Sequence, residues 1–189
     1  MTATLPVMQT RASPHCDDRA DDEVISLLVI HNISLPAGQF AREPEHSFVD
    51  ALFMGCLDCD ADPSFADLKG LRVSAHCVIW RDGRIFNYVP FAKRAWHAGV
   101  SRFDGRERCN DFSIGIELEG TDNLPYTEQQ YQSLIQLTLF LCQQHPAITA
   151  ERIVGHCDIA PGRKTDPGTA FDWVRYRNGI KSATKEFSR

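Results

Sequence analysis

Short apolar runs of strand length alternate along this chain with two stretches of helical period, and polar segments rich in proline and glycine separate them. Residues 26–31 (SLLVIH) are apolar without alternation, the pattern of a strand covered on both faces. Residues 73–80 and 84–89 read as two strands joined through Asp82-Gly83, a two-residue hairpin signal. Residues 113–119 (SIGIELE) alternate apolar and polar positions and predict a further strand, and 153–156 a brief one. The clearest helix spans 127–144. Thr127 and Gln130 fit a capping box there, Leu134, Leu137, Thr138 and Leu141 share one face, and Pro146 ends it. A last helix is expected over 170–178.

Residues 32–72 form a long connection punctuated by Pro36, Gly38, Pro44 and Pro63, with one short helix expected over 47–54. Connections of this length tend to wall binding sites. Residues 1–23 are polar, with an acidic cluster at Asp17, Asp18, Asp21, Asp22 and Glu23, and read as a surface arm. The expected division is therefore arm 1–23, domain 24–180 and C-terminal tail 181–189. Strands flanked by helices give an α/β (α+β) single domain around a central mixed sheet.

Composition narrows the class. With 189 residues, 43% hydrophobic and 24% charged, the chain has the balance of one soluble globule. No stretch approaches the roughly 20 apolar residues of a membrane span. A net charge of −5 argues against a nucleic-acid partner. The N-terminus shows no basic start followed by an apolar core, and seven cysteines are an odd set for a disulfide framework. The expectation is a cytoplasmic protein with reduced thiols, monomeric, with a small-molecule partner. Cys56 and Cys59 form a CxxC without a second pair, which argues against a metal knuckle. His76-Cys77 and His156-Cys157 are sequence neighbours that point apart, so neither is a ready dyad.

Chemistry concentrates at strand ends. His31 closes one apolar run, His156 closes RIVGH, Glu117 lies within SIGIELE, and CDIAPGRKTDPG supplies Arg163, Lys164 and Asp166. Two imidazoles and one carboxylate make a three-ligand set for a catalytic zinc with a fourth position open. From the residues alone, this competes with the ordinary reading of a histidine satisfied inside a core.

The blocks VIHNIS, RVSAHC, AWHAGVSRFDGRERCNDFSIGIELEGTDNL and VGHCDIAPGRKTDPG resemble the zinc-dependent N-acetylmuramoyl-L-alanine amidase family, type 2. More narrowly, they resemble its cytoplasmic branch acting on 1,6-anhydro-N-acetylmuramyl peptides of cell-wall recycling. The likeness runs from about residue 13 to 173, in the family's order. It implies the sheet fold of peptidoglycan recognition proteins and phage amidases. It also implies one Zn2+ per chain on His31, His156 and Asp166, with Glu117 as the catalytic glutamate and Lys164 beside the metal. The implied reaction splits the lactyl–L-alanine amide. Glu117 takes the proton of the attacking water and hands it to the departing amine, and zinc and Lys164 share the oxyanion. For substrate contacts, Arg72 and Arg108 fall at matching positions, Arg163 adds a guanidinium for carboxylates, and Asn32 suits the amides. Trp96 offers an apolar face, and His97 stands next to it. Some relatives place a tyrosine beside the zinc from the loop after the first strand; none occurs between Asn32 and Arg72, so Lys164 serves alone. Two alternatives share the fold: a non-catalytic module that binds peptidoglycan fragments, and an exported amidase acting on intact wall.

Overall fold

In the computed structural model of the chain, which describes residues 4–187, one six-stranded sheet carries the architecture. In chain order the elements are β1 (Met8–Thr10), β2 (Cys16–Asp18), β3 (Leu27–Ile33), α1 (Phe48–Phe53), β4 (Cys77–Ile79), β5 (Ile85–Asn87) and β6 (Lys93–Ala95). They continue with β7 (Arg102–Phe103), β8 (Arg106–Glu107), β9 (Ser113–Glu119), α2 (Glu128–Gln144), β10 (Ile153–Gly155), α3 (His156–Ile159) and α4 (Trp173–Phe187). The sheet order is β1-β5-β4-β9-β3-β10. Within this sheet, among the described residues, β4 and β5 pair antiparallel and the other neighbours parallel, so the sheet is mixed, as the sequence implied.

Side chains alternate between faces along each strand, and this alternation builds two layers. Leu28, Ile30, Cys77, Ile79, Ile114, Ile116 and Leu118 point to one face and pack against α2 and α4 through Leu134, Leu137, Leu141 and Tyr176. Burying each such leucine contributes about 1.5–3 kcal/mol. The start of α2 is doubly fixed. Thr127 and Gln130 form the capping box, and the buried Gln130 amide also donates to the carbonyls of Ile79 and Glu119.

The opposite face carries two separate apolar clusters. One surrounds α1 with Val49, Leu52, Phe53, Val78, Trp80 and Tyr88; the other joins Leu27, Val29, Ala98, Phe112, Val154 and Ile159. His31, His76, His97, Ser113 and Glu117 are buried on this side and belong to neither cluster.

Three expectations need correction. The hairpin between β4 and β5 turns through three residues, not two. Trp80 and Arg84 still pair, the Gly83 N–H donates to the Trp80 carbonyl, and Gly83 has φ +86°, a left-handed angle that suits glycine. Within 1–23, the described residues are built into the domain instead of forming an arm: β1 pairs with β5, β2 with β6, and Arg11 binds the buried Asp50 through two bonds of 2.9 and 2.6 Å. Arg19 donates to the carbonyls of Phe91, Asn110, Asp111 and Ser113. Pairing with a sheet edge uses backbone, so polar side chains did not reveal it. The expected tail begins inside α4, which runs to Phe187; the remaining two residues lie outside the described chain.

Candidate active site

Three strands and one loop bring the ionisable groups together. β3 and β9 are parallel neighbours in a register that sets His31 directly beside Glu117. His156 follows β10 as the first residue of α3, and β10 pairs with the other edge of β3. The loop after α3 returns Asp166, whose carbonyl accepts from the Cys157 N–H at 3.0 Å.

The resulting group is a triangle of donor atoms. His31 Nδ1, His156 Nδ1 and Asp166 Oδ2 stand 3.0 Å from one another on all three sides. Donors of a tetrahedral zinc held at about 2.0–2.1 Å stand roughly 3.3 Å apart, so the triangle suits such an ion with little adjustment. The outer nitrogens agree. His156 Nε2 lies 3.1 Å from the Ala98 carbonyl, which only accepts and is nearer than the Arg163 guanidinium at 3.4 Å, so that nitrogen carries a proton and the ring turns Nδ1 towards the triangle. Burial lowers the His31 pKa to about 4, against the opposing pull of Asp166, and keeps the ring neutral. Burial pushes Asp166 up, but its bonds with His156 and His31 outweigh this and hold it well below the usual carboxylate range. Two neutral imidazoles and one carboxylate are the donor set of a catalytic zinc.

Glu117 is buried beside this triangle, and its Oε2 has no hydrogen-bond partner among the described residues. Burial, with the Asp166 charge added, raises its pKa well above the ordinary value, and Lys164 acts the other way. A buried carboxylate oxygen left without a partner is costly unless something binds it. Lys164 is exposed and lines a groove of about 550 Å³ together with Asn32, Asp122 and Asp166. The site therefore opens to solvent at Lys164 and is buried at His31, His156 and Glu117.

The profile of the N-acetylmuramoyl-L-alanine amidase family matches residues 21–169. The chain belongs to this amidase family. The amidase is 64% identical over 165 residues to the 1,6-anhydro-N-acetylmuramyl-L-alanine amidase AmpD of Salmonella typhimurium strain SL1344, covering 87% of this chain and 86% of that one. It superposes on the crystal structure of a selenomethionine AmpD derivative with a TM-score of 0.88 and 58% identity, over 95% and 98% of the two chains. A more distant likeness, TM-score 0.59 and 32% identity, covers 85% of the amidase and 60% of AmiD from E. coli, which was solved with anhydro-N-acetylmuramic acid-L-Ala-D-gamma-Glu-L-Lys.

Elsewhere in the amidase, the expected contacts Asn32, Arg72, Arg108 and Arg163 line several pockets, with Arg163 shared between the groove of Asn32 and a second pocket that holds Arg108. Asn32 donates to Asp122 at 2.8 Å at the groove's edge. Arg163 lies in the same groove, but its guanidinium donates to the carbonyls of Ala98 and Val100 and latches the 98–100 loop. Arg108 is exposed, adopts φ +60° and pairs with Asp111 at 3.2 Å. Arg72 lines a different, smaller pocket with His15 and Cys59. Trp96 stacks on His15 and donates to Asp17, away from the triangle. His97 departs from the expectation: it is buried, with one ring nitrogen 2.9 Å from His31 Nε2 and the other 3.1 Å from Ser113 Oγ, and leaves no nitrogen for substrate. Ser113, Gly115 and Asp122 were absent from the sequence reading. The available signal was the glycine inside SIGIELE, since glycine within a strand marks a close approach.

Proposed function

We propose that the chain is a zinc hydrolase that cleaves the amide between the lactyl group of 1,6-anhydro-N-acetylmuramic acid and L-alanine in muropeptides. It acts as a monomer in the cytoplasm, in the reuse of peptidoglycan fragments. One observation carries the reading: His31 Nδ1, His156 Nδ1 and Asp166 Oδ2 converge beside Glu117, whose Oε2 has no partner among the described residues, in a chain 64% identical to an enzyme of that name. The anhydro-muramyl peptide held by the AmiD relative supports the substrate class.

His31, His156 and Asp166 would hold one zinc per chain, which when bound would supply a Lewis acid and lower the pKa of a water towards about 7. The protein's own groups divide the remaining work. Glu117, whose burial raises its proton affinity, accepts the proton of the attacking water and returns it to the departing amine, so the amide and one water become a carboxylic acid and an amine. The Lys164 ammonium, in the groove beside Asp166, faces the developing oxyanion. Asn32 meets the amides at the groove's edge, and the exposed guanidinium of Arg108, in the pocket it shares with Arg163, meets a carboxylate of the peptide.

The test is hydrolysis of an anhydro-muramyl tripeptide by purified protein, with chelator and then with zinc restored. Cleavage at the lactyl–alanine bond that is lost on chelation and regained with zinc supports the reading. Cleavage indifferent to chelation, or a zinc-loaded protein that cleaves nothing, overturns it. Cell fractionation tests the compartment.

A further inference from the structure

We propose that His97 and Ser113 form a positioning relay that turns the lone pair of His31 Nδ1 towards the metal; this rests on the zinc reading above. A neutral imidazole has one N–H and one lone pair. For His31 to ligate through Nδ1, its proton must sit on Nε2, and the atom facing Nε2 at 2.9 Å is His97 Nδ1. That atom must therefore accept, which puts the His97 proton on Nε2, 3.1 Å from Ser113 Oγ. With the opposite tautomer at His97, His31 Nε2 would accept a bond and its Nδ1 would carry the proton, blocking coordination. Ser113 ends the relay with a hydroxyl that can take the His97 proton as an acceptor.

The fold holds this ring with unusual care. The backbone N–H groups of His97 and Ala98 both donate to Asn110 Oδ1, at 3.1 and 2.8 Å. The His76 ring meets His97 edge-on at 5.7 Å between centroids. Below it lies Gly115, where an added Cβ would stand 2.4 Å from His97 Cγ and 2.5 Å from Nδ1. Glycine weakens the interior of a central strand, and here it gives the ring its seat. The two imidazole ligands thus differ: a backbone carbonyl orients His156, whereas a removable side chain orients His31.

The experiment measures zinc affinity by competition with a chromophoric chelator, and the His31 tautomer by ring-nitrogen NMR of the zinc-loaded and metal-free protein. His97→Phe and Gly115→Ala should each lose about 10–100-fold in affinity, while His97→Asn, which restores an acceptor, should recover most of it. Ser113→Ala, which removes a single oxygen, serves if His97→Phe fails to fold; it should raise the share of Nδ1-protonated His31 in the metal-free protein. Unchanged affinity and an unchanged His31 tautomer in these variants, with wild-type protein binding zinc, overturn the relay alone. A wild-type protein that binds no zinc overturns the zinc reading and the relay with it.

Discussion

Glu117 and Glu119 stand two residues apart on the same face of β9, both buried, yet their carboxylates have opposite surroundings. Glu119 accepts from the backbone N–H of Ala41 at 2.6 Å and of Arg81 at 3.2 Å, tying the long loop to the β4–β5 turn. Glu117 keeps an oxygen without partner. Glu117→Gln should therefore keep its zinc and fold while turnover falls by about 10²–10⁴. Glu119→Gln should instead lose about 1–3 kcal/mol of stability. Metal content, hydrolysis rate and denaturant midpoints separate the two.

Replacing a member of the donor triangle should have a different signature. His31→Ala, His156→Ala and Asp166→Ala should each come through dialysis without zinc and without activity, as measured by elemental analysis on protein whose circular dichroism matches wild type. Retention of stoichiometric zinc in any of the three would remove that residue from the ligand set.

In the proposed reaction Lys164 acts through its charge alone. Lys164→Met should leave zinc binding unchanged and lower kcat by about 10²–10³, the scale for one oxyanion partner, with little change in KM. A change confined to KM would make Lys164 a substrate contact instead.

Acid should expose the histidine core. Burial first, and then the Arg19 charge, lower the His76 pKa from 6.5 to about 3, despite its bonds to Lys93 and Gly115. Between those two values the unfolded chain binds a proton that the folded chain refuses, so this group's contribution is full above pH 6.5 and lost progressively as pH falls towards 3. Metal-free protein carrying His76→Gln should show a shallower fall of unfolding free energy over that window than wild type, read from urea titrations at several pH values.

The N-terminal strand should matter for stability. Asp50 is buried and is held by Arg11 at two atoms and by the Tyr88 hydroxyl at 2.8 Å. Arg11 is about one-third exposed, which weakens the pair, so Arg11→Ala should cost about 1–2 kcal/mol. Asp50→Ala strands both partners and should cost more. Thermal unfolding decides, and an unshifted Tm for both would return the segment to the status of an arm.

The sequence showed most of what local periodicity governs. α2 begins at Thr127 with its capping box, and Leu134, Leu137, Thr138 and Leu141 are all buried. β9 occupies 113–119 as its pattern suggested. Alternation in that strand does not mark a solvent face, because Glu117 and Glu119 are both buried, and Glu119 accepts from two backbone donors. The strands of residues 8–18 escaped because their stability comes from backbone pairing, which leaves little trace in side-chain polarity. Similarly, His97 was adjacent in sequence to a plausible substrate contact, but adjacent residues point apart, and only the tertiary fold shows that it leans on His31.

The register of β3 against β9 has a wider consequence. Because His31 and Glu117 are matched rung for rung, their spacing is measured by the ladder of main-chain hydrogen bonds and does not depend on the 32–72 connection. Changes in the exposed parts of that connection therefore leave the pair's spacing untouched, while a single residue inserted into either strand between positions 27 and 31 or 113 and 117 would turn one of the two groups to the far side of the sheet.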